Sequence, residues 1–355
     1  MTETVKSTGG PTPAGLLLGS SPHIGSGTDA RALMARVLIA LAPCAIYGIV
    51  IFGARAALTI AVALASAEAA EALFRLAARR PLRNSDLSAA VTGLLLALVL
   101  PPGVPLWMTA IGAVFAIVVA KEFFGGLGAN IFNPALAGRA FLLMSFPAAM
   151  TTWHKPALWG APLTDALSTA TPLGALKMGA DVTSGASLHF GVDFSGVESA
   201  LGVSSYGEML KKLFFGYHAG TIGETSVLLI LAGAFFLLVT KTIDWRAPLT
   251  MTGTAFVCSL ALGQDPIFAI LSGGLLFGAV FMATDYTSAP VTATGKLLFG
   301  AGAGLITVLI RRWGGYPEGV TYGLLIMNAA APFLNKLLQR KYGYVKPAKK
   351  KGGAQ

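Results

Sequence analysis

The segment Asp165-Ala166-Leu167-Ser168-Thr169-Ala170-Thr171-Pro172-Leu173 gathers hydroxyl side chains in the one long polar stretch of an otherwise apolar chain. A Thr hydroxyl is a poor nucleophile at neutral pH, so Thr171 does no covalent chemistry unaided. It could carry a bulky group only if a separate transferase recognised the residues around it. Small Ser168, Thr169 and Ala170 would admit such a group, and Pro172 would stiffen the exit. Read from the residues alone, the segment is first a capped turn, because Asp, Ser, Thr and Pro cluster in turns for local reasons.

Ionisable residues inside apolar runs are the second signal. Glu68 and Glu71 lie one turn apart, Lys121-Glu122 ends a later run, and Asp285 closes Phe281-Met282-Ala283-Thr284-Asp285. Charge at membrane depth is costly and usually faces a cavity or a partner. For Glu122 and Asp285 an ion path competes with an interfacial cap or a subunit salt bridge. Glu68 and Glu71 approach a helix end, where the plain reading is better. The third signal is Gly125-Gly126-Leu127-Gly128-Ala129-Asn130-Ile131-Phe132-Asn133-Pro134-Ala135. Gly permits close backbone approach and Asn can bond exposed carbonyls. The segment reads as a tight interhelical turn, with an anion or a ring edge at the following helix N-terminus as the sharper alternative. No βαβ context surrounds it, so it is not a dinucleotide fingerprint.

These residues need elements to position them. Only 12% of residues are charged and 54% are hydrophobic, where a soluble domain has about a quarter charged. Mean hydropathy is +0.69. The chain reads as an all-α polytopic membrane protein. About ten apolar runs are long enough, or nearly so, to cross hydrocarbon. They lie near 35–53, 56–75, 87–100, 105–121, 133–150, 224–241, 247–263, 266–283, 295–311 and 319–338. The resulting plan is an N-terminal segment 1–34, helices one to five over 35–150, a polar loop 151–223, helices six to ten over 224–338, and a basic tail 339–355. The loop holds His154, His189 and His218, and long ordered loops are usually functional. Runs 87–100 and 247–263 look broken at Pro101-Pro102-Gly103 and Gly263-Gln264-Asp265-Pro266, which points to a central site. Thr92-Gly93 and Thr252-Gly253 hint at an internal repeat pairing helix three with helix seven.

The net charge of +10 sits at helix ends and in Lys346–Lys351, which sets topology and does not point to nucleic acid. Arg75, Arg79, Arg80 and Arg83, then Lys241 and Arg246, then the tail, fall on one side of a ten-helix plan. That side is expected to be cytoplasmic, with both termini inside and 151–223 outside. Arg311 and Arg312 dissent. The first 30 residues show no cleavable signal. Cys44 and Cys258 lie in apolar runs, with no metal-ligand spacing and no disulfide framework.

Together these segments resemble the D subunit of the Rnf ion-translocating ferredoxin:NAD oxidoreductase (electron transport) complex, and the related B subunit of the sodium-pumping NADH:quinone reductase. The resemblance runs from Ser21-Pro22-His23, through Thr92-Gly93-Leu94-Leu95-Leu96, Gly128 to Ala135 and Ser168-Thr169-Ala170-Thr171, to Gly223-Glu224-Thr225, Met282-Ala283-Thr284-Asp285 and Tyr316-Pro317-Glu318-Gly319. It implies a ten-helix, urea-transporter-like bundle with inverted halves. It implies FMN linked by a phosphoester to Thr171, flanked by Asp165, Ser168, Thr169 and Ala170. Thr169 stands where many members have Gly and adds a competing hydroxyl. The resemblance places acidic ion-path residues at Glu122 and Asp285 and brings a second, non-covalent flavin such as riboflavin. The implied partners are a second flavin-bearing subunit, iron-sulfur subunits and a flavin transferase, in a bacterial inner membrane with the loop periplasmic.

The expected function is electron transfer between ferredoxin and NAD coupled to Na+ or H+ translocation, with no turnover by the isolated subunit. The rival readings are a small-solute channel or transporter of urea-transporter-like fold without flavin, and a cofactor-free structural subunit. A simple pore has no need of the loop 151–223.

Overall fold

The computed structural model describes residues 29–82, 84–156, 168–179, 188–189, 192–316 and 318–338. Each of the ten apolar runs folds as helix. The first half contains α1 (Ala30–Phe52), α2 (Ala54–Ala77), α3 (Ser88–Leu98), α4 (Leu106–Val118), α5 (Pro134–Ser145) and the one-turn α6 (Pro147–Met150). The loop carries the strand pair β1 (Trp153–His154) and β2 (Ser168–Thr169), α7 (Pro172–Gly179), the strand pair β3 (Leu188–His189) and β4 (Val192–Asp193), α8 (Ser195–Leu201) and α9 (Tyr206–Phe215). The second half contains α10 (Val227–Val239), α11 (Arg246–Ala261), α12 (Pro266–Leu271), α13 (Leu275–Phe277), α14 (Ala293–Trp313) and α15 (Val320–Leu338). Among the described residues, four helical segments can each cross a bilayer by length and composition: Ala30–Phe52, Ala54–Ala77, Leu106–Phe124 and Ala293–Trp313.

Small residues set the packing. Every residue of α3 except Ala90 is buried. A Cβ on Gly93 would meet Ala63 O at 2.9 Å and Ala67 Cβ at 3.0 Å, so its absence brings α3 against α2. Without a hydrophobic drive in lipid, such close approach is what van der Waals packing gains from. Around α3 lie α1, α2, α4 and α5, while α11, α14 and α15 pack in sequence in the other half. The halves meet where α1 packs on α10 and α5 packs on α15.

The chain leaves helical geometry at both expected places. The chain stops being helical after Leu98, and the freed carbonyls of Leu98 and Leu100 accept from Gly223 N (2.8 Å) and Ile222 N (3.1 Å). Helix α11 likewise ends at Ala261, Gly263 turns the chain with φ +68° and α12 starts at Pro266. A further break is not among those expected. The unwinding falls at Ser272–Gly274, between α12 and α13, after which Gly278–Met282 adopts a π-turn. The Thr252-Gly253 echo fails for a related reason. Helix α11 packs on α12 and α14, as α2 packs on α3 and α4. Helix α11 thus packs as the counterpart of α2, and the broken α12–α13 element is the counterpart of α3. From Ser88 to Leu98 the chain leads from a large cavity to the loop-side cleft described below; from Gly273 to Asp285 it returns.

The loop has a small core of its own in Leu173, Ala175, Phe194, Val197, Met209 and Leu213, closed by Phe268 of α12. Phe194 meets Phe268 edge-on at 5.2 Å. The Tyr206 hydroxyl donates to Asp265, whose Oδ1 caps α12 by accepting from Ile267 N (2.8 Å) and Phe268 N (3.0 Å). Burial and that carboxylate hold the Tyr206 phenol well above its usual range. The loop is thus pinned to the broken helix.

Candidate functional site: a loop-side cleft at Thr171 and a buried charge cluster

Strand β2 leads directly into Thr171, which is the N-cap of α7. Thr171 is 5% exposed, its Oγ1 accepts from Gly174 N at 3.0 Å, and its carbonyl accepts from Ala175 N at 2.8 Å. The capped-turn reading therefore holds. It does not exclude attachment, because the same oxygen opens on a cleft of about 280 Å³. Thr171, Pro172 and Leu173 form one wall, His218 to Thr221 another, and Glu224, Gly273 and Glu318 the rest.

Two of these residues, Glu224 and Glu318, lie in the family motifs but carry no local sign of a site. Glu224 lies just before α10 and Glu318 in the turn between α14 and α15, and Arg139 of α5 joins them. Arg139 Nη1 donates to Glu224 Oε1 at 3.1 Å and Nη2 donates to Glu318 Oε2. Their sequence signal was an acid beside Gly in a short turn at a helix end, a pattern shared by ordinary caps. The Gly273-Gly274 break makes room for the cluster. Gly273 has φ +66°, and a Cβ on Gly274 would collide with the Glu224 carboxylate.

Arg311 explains its own dissent from the topology pattern. It is buried, with Nη1 2.5 Å from Ala269 O and Nη2 3.2 Å from Ser272 O. It satisfies the carbonyls left open at the end of α12 and is not a loop charge. Lys177 of α7 donates to the carbonyls of Gly314 and Tyr316.

A phosphoester-linked group fits Thr171. The hydroxyl sits at the N-terminus of an eight-residue helix, where main-chain N–H groups and the helix dipole favour an anion. The charged residues on the cleft are Glu224 and Glu318, and Arg139 pairs with both. Backbone pairing puts Ser168 opposite His154 and Thr169 opposite Trp153. Ala170 is half-buried against the loop core. Asp165 lies outside the described residues.

The ion-path candidates fall on the other side of the bundle and in different settings. Asp285 lines a cavity of about 690 Å³ together with Ser88, Thr92, Lys121, Asn130 and Asn133. Its carboxylate accepts from Ser288 Oγ at 2.7 Å and Thr287 Oγ1 at 3.2 Å. Glu122 does not line that cavity. It is 1% exposed and accepts from Arg75 Nη2 at 2.9 Å. Arg75 Nε lies 3.3 Å from Glu71 Oε1, and Lys121 Nζ lies 2.8 Å from Glu71 Oε2 and 2.6 Å from Ser88 Oγ. All four charged groups are nearly inaccessible. Arg75, in the last turn of α2, and Glu71 are therefore not solvent-facing charges; they are half of a neutral buried cluster that ties α2 to the end of α4. The glycine-rich segment is the expected turn. Gly125, Gly126 and Gly128 have φ of +117°, +93° and +97°, and Asn133 caps α5 by accepting from Ala135 N (3.0 Å) and Leu136 N (3.3 Å).

The sequence pattern of the NQR2, RnfD, RnfE family matches residues 17–343. The chain belongs to that family. It is 41% identical to the D subunit of the proton-translocating ferredoxin:NAD(+) oxidoreductase complex of Clostridium ljungdahlii over 329 residues, 91% of this chain and 94% of that one. It is also 41% identical to the D subunit of the Na(+)-translocating ferredoxin:NAD(+) oxidoreductase complex of Acetobacterium woodii, over 93% of this chain and 96% of that one. The D subunit of the ion-translocating oxidoreductase complex of Stutzerimonas stutzeri is 40% identical over 88% of this chain and 91% of its own. The resemblance seen in the motifs is thereby borne out at family level.

Proposed function

We propose that this chain is the membrane-embedded D subunit of an Rnf-type complex, carries FMN as a phosphoester on Thr171, and couples electron transfer between ferredoxin and NAD to Na+ or H+ movement. The observation that carries the reading is Thr171 itself. A family motif ends in a hydroxyl that caps a helix and opens on a cleft lined by charge, in a chain related over most of its length to the D subunits of such complexes.

Bound FMN supplies the redox chemistry, and the chain supplies its setting. The N-terminus of α7 holds the phosphate end, while Asp165, Ser168, Thr169 and Ala170 form the stretch a flavin transferase reads. The loop core, through Phe194–Phe268 and Tyr206–Asp265, transmits a shift at Thr171 to the broken helix. The cation passes Asp285 on the large cavity, and Glu122 acts there indirectly, through the cluster that ends in Lys121 on the cavity wall. A second, non-covalent flavin such as riboflavin also belongs to this reading, and Asn130, Asn133, Phe281 and Tyr286 of the same cavity are the residues that would face it.

The subunit crosses a bacterial inner membrane with ten helical spans in a urea-transporter-like arrangement, with both termini cytoplasmic and the loop periplasmic. It works beside a second flavin-bearing subunit and iron-sulfur subunits. Intact and peptide mass measurement on the chain co-expressed with its flavin transferase tests this reading. A mass increase of FMN minus water on the Thr171 peptide supports it, and an unmodified peptide refutes it.

A further inference from the structure

His218 lines the Thr171 cleft and has no part in the function proposed above. It is 5% exposed. Its ring lies between two main-chain carbonyls, with Nδ1 3.0 Å from Ala219 O and Nε2 3.2 Å from Thr225 O. A neutral imidazole has one N–H, so it satisfies one of these carbonyls and turns a lone pair toward the other. The imidazolium donates to both. The hydrogen-bond geometry is thus built for the charged ring, whereas burial opposes the charge and pushes the imidazole below its usual range.

The surrounding charges decide the balance. Glu224 and Glu318 face the same cleft, with Arg139 between them. Arg311 sits behind Gly273, and Lys177 projects from α7. Lys177 is bonded to the carbonyls of Gly314 and Tyr316 and does not line the cleft, so Arg139 and Arg311 offset Glu224 and Glu318 and the sum without His218 is near zero. Burial is then what keeps the ring neutral. A phosphodiester at Thr171 adds one negative charge, and an electron added to the attached group adds a second.

We propose that His218 is a proton-binding site coupled to the charge carried at Thr171, neutral in the unmodified chain and protonated from loop-side water as that charge becomes more negative. The inference rests on the reading of Thr171 as an attachment point. The step balances simply. One electron reaches the attached group from a one-electron donor in a neighbouring subunit, one proton leaves water and binds the ring nitrogen, and reoxidation returns both. The carbonyls of Ala219 and Thr225 wait in place, so no rearrangement is needed to receive the second N–H.

The test needs no substitution. The chain is prepared with and without co-expressed flavin transferase, and hydrogen–deuterium exchange at the imidazole C2 position is followed against pH by mass spectrometry. A unit charge about 10 Å away at an effective dielectric constant of about 20 changes proton affinity about tenfold. The His218 midpoint should therefore rise by about one pH unit in the modified chain. Equal His218 midpoints with FMN present on the Thr171 peptide overturn the inference and leave the attachment reading standing. An unmodified Thr171 peptide overturns both. In the assembled complex, His218→Gln should flatten the pH dependence of the Thr171 flavin potential, which reaches about 59 mV per unit for one proton per electron. An unchanged slope in that variant also overturns the inference.

Discussion

Lys121→Met is the perturbation whose size follows most directly from the structure. Lys121 is 2% exposed, and its ammonium lies 2.8 Å from Glu71 Oε2 and 2.6 Å from Ser88 Oγ. At an effective dielectric constant of about 20, the Lys121–Glu71 attraction alone is about 6 kcal/mol before desolvation is subtracted. Met fills similar volume but leaves Glu71 buried with only the 3.3 Å approach of Arg75 Nε. The cluster then holds two carboxylates against one guanidinium. Breaking a buried pair in this way costs about 3–5 kcal/mol. Adding Glu71→Gln restores neutrality, so the double variant should recover about 2 kcal/mol of that loss. The assay is a double-mutant cycle on thermal unfolding of the purified subunit in one detergent. A single variant within about 0.5 kcal/mol of the parent would refute the account, because that is the scale of surface substitutions. Simple additivity of the two changes would refute it equally, since residues sharing an ion pair must couple.

Thr171→Ala removes both the attachment oxygen and the N-cap of α7. It should abolish flavin on the peptide and cost about 1 kcal/mol of loop stability, whereas Thr171→Ser should keep the cap; peptide mass and limited proteolysis separate the two effects. Gly274→Ala drives a methyl group into the Glu224 carboxylate, so it should lower the yield of folded chain by size-exclusion profile, and a normal profile would show that the break has slack. Asp285→Asn should weaken ion-dependent turnover of the assembled complex; an unaltered ion titration takes Asp285 off the path. In the unmodified chain the depressed His218 imidazole favours folding while it is neutral. That contribution is complete above about pH 6.5 and is lost as pH falls through the lower folded value, so loop melting followed by circular dichroism should weaken in acid.

Much of the frame was legible in order along the chain. Apolar runs of near-membrane length fix where helices form, because a helix satisfies its own backbone in lipid and barrel strands are shorter. Asn133-Pro134 announced a helix start and the glycines before it a turn, since capping and positive φ are local matters. Thr171 stood out for the same reason, as a hydroxyl just before a Pro that begins a helix. What local pattern could not give was partnership. Arg75 looked like a loop cation until folding brought Glu122 to it from 47 positions away. Arg311 looked like a misplaced topology charge until the carbonyls of α12 appeared beside it. The break after α12 hides in an ordinary Ser272-Gly273-Gly274, whose unwinding is held by Arg311 and by the space Glu224 requires. Propensity and capping act over one turn of chain and are written in sequence. Ion pairing, and the meeting of Thr171, His218, Glu224 and Glu318 around one cleft, act across space, and only the tertiary structure decides them.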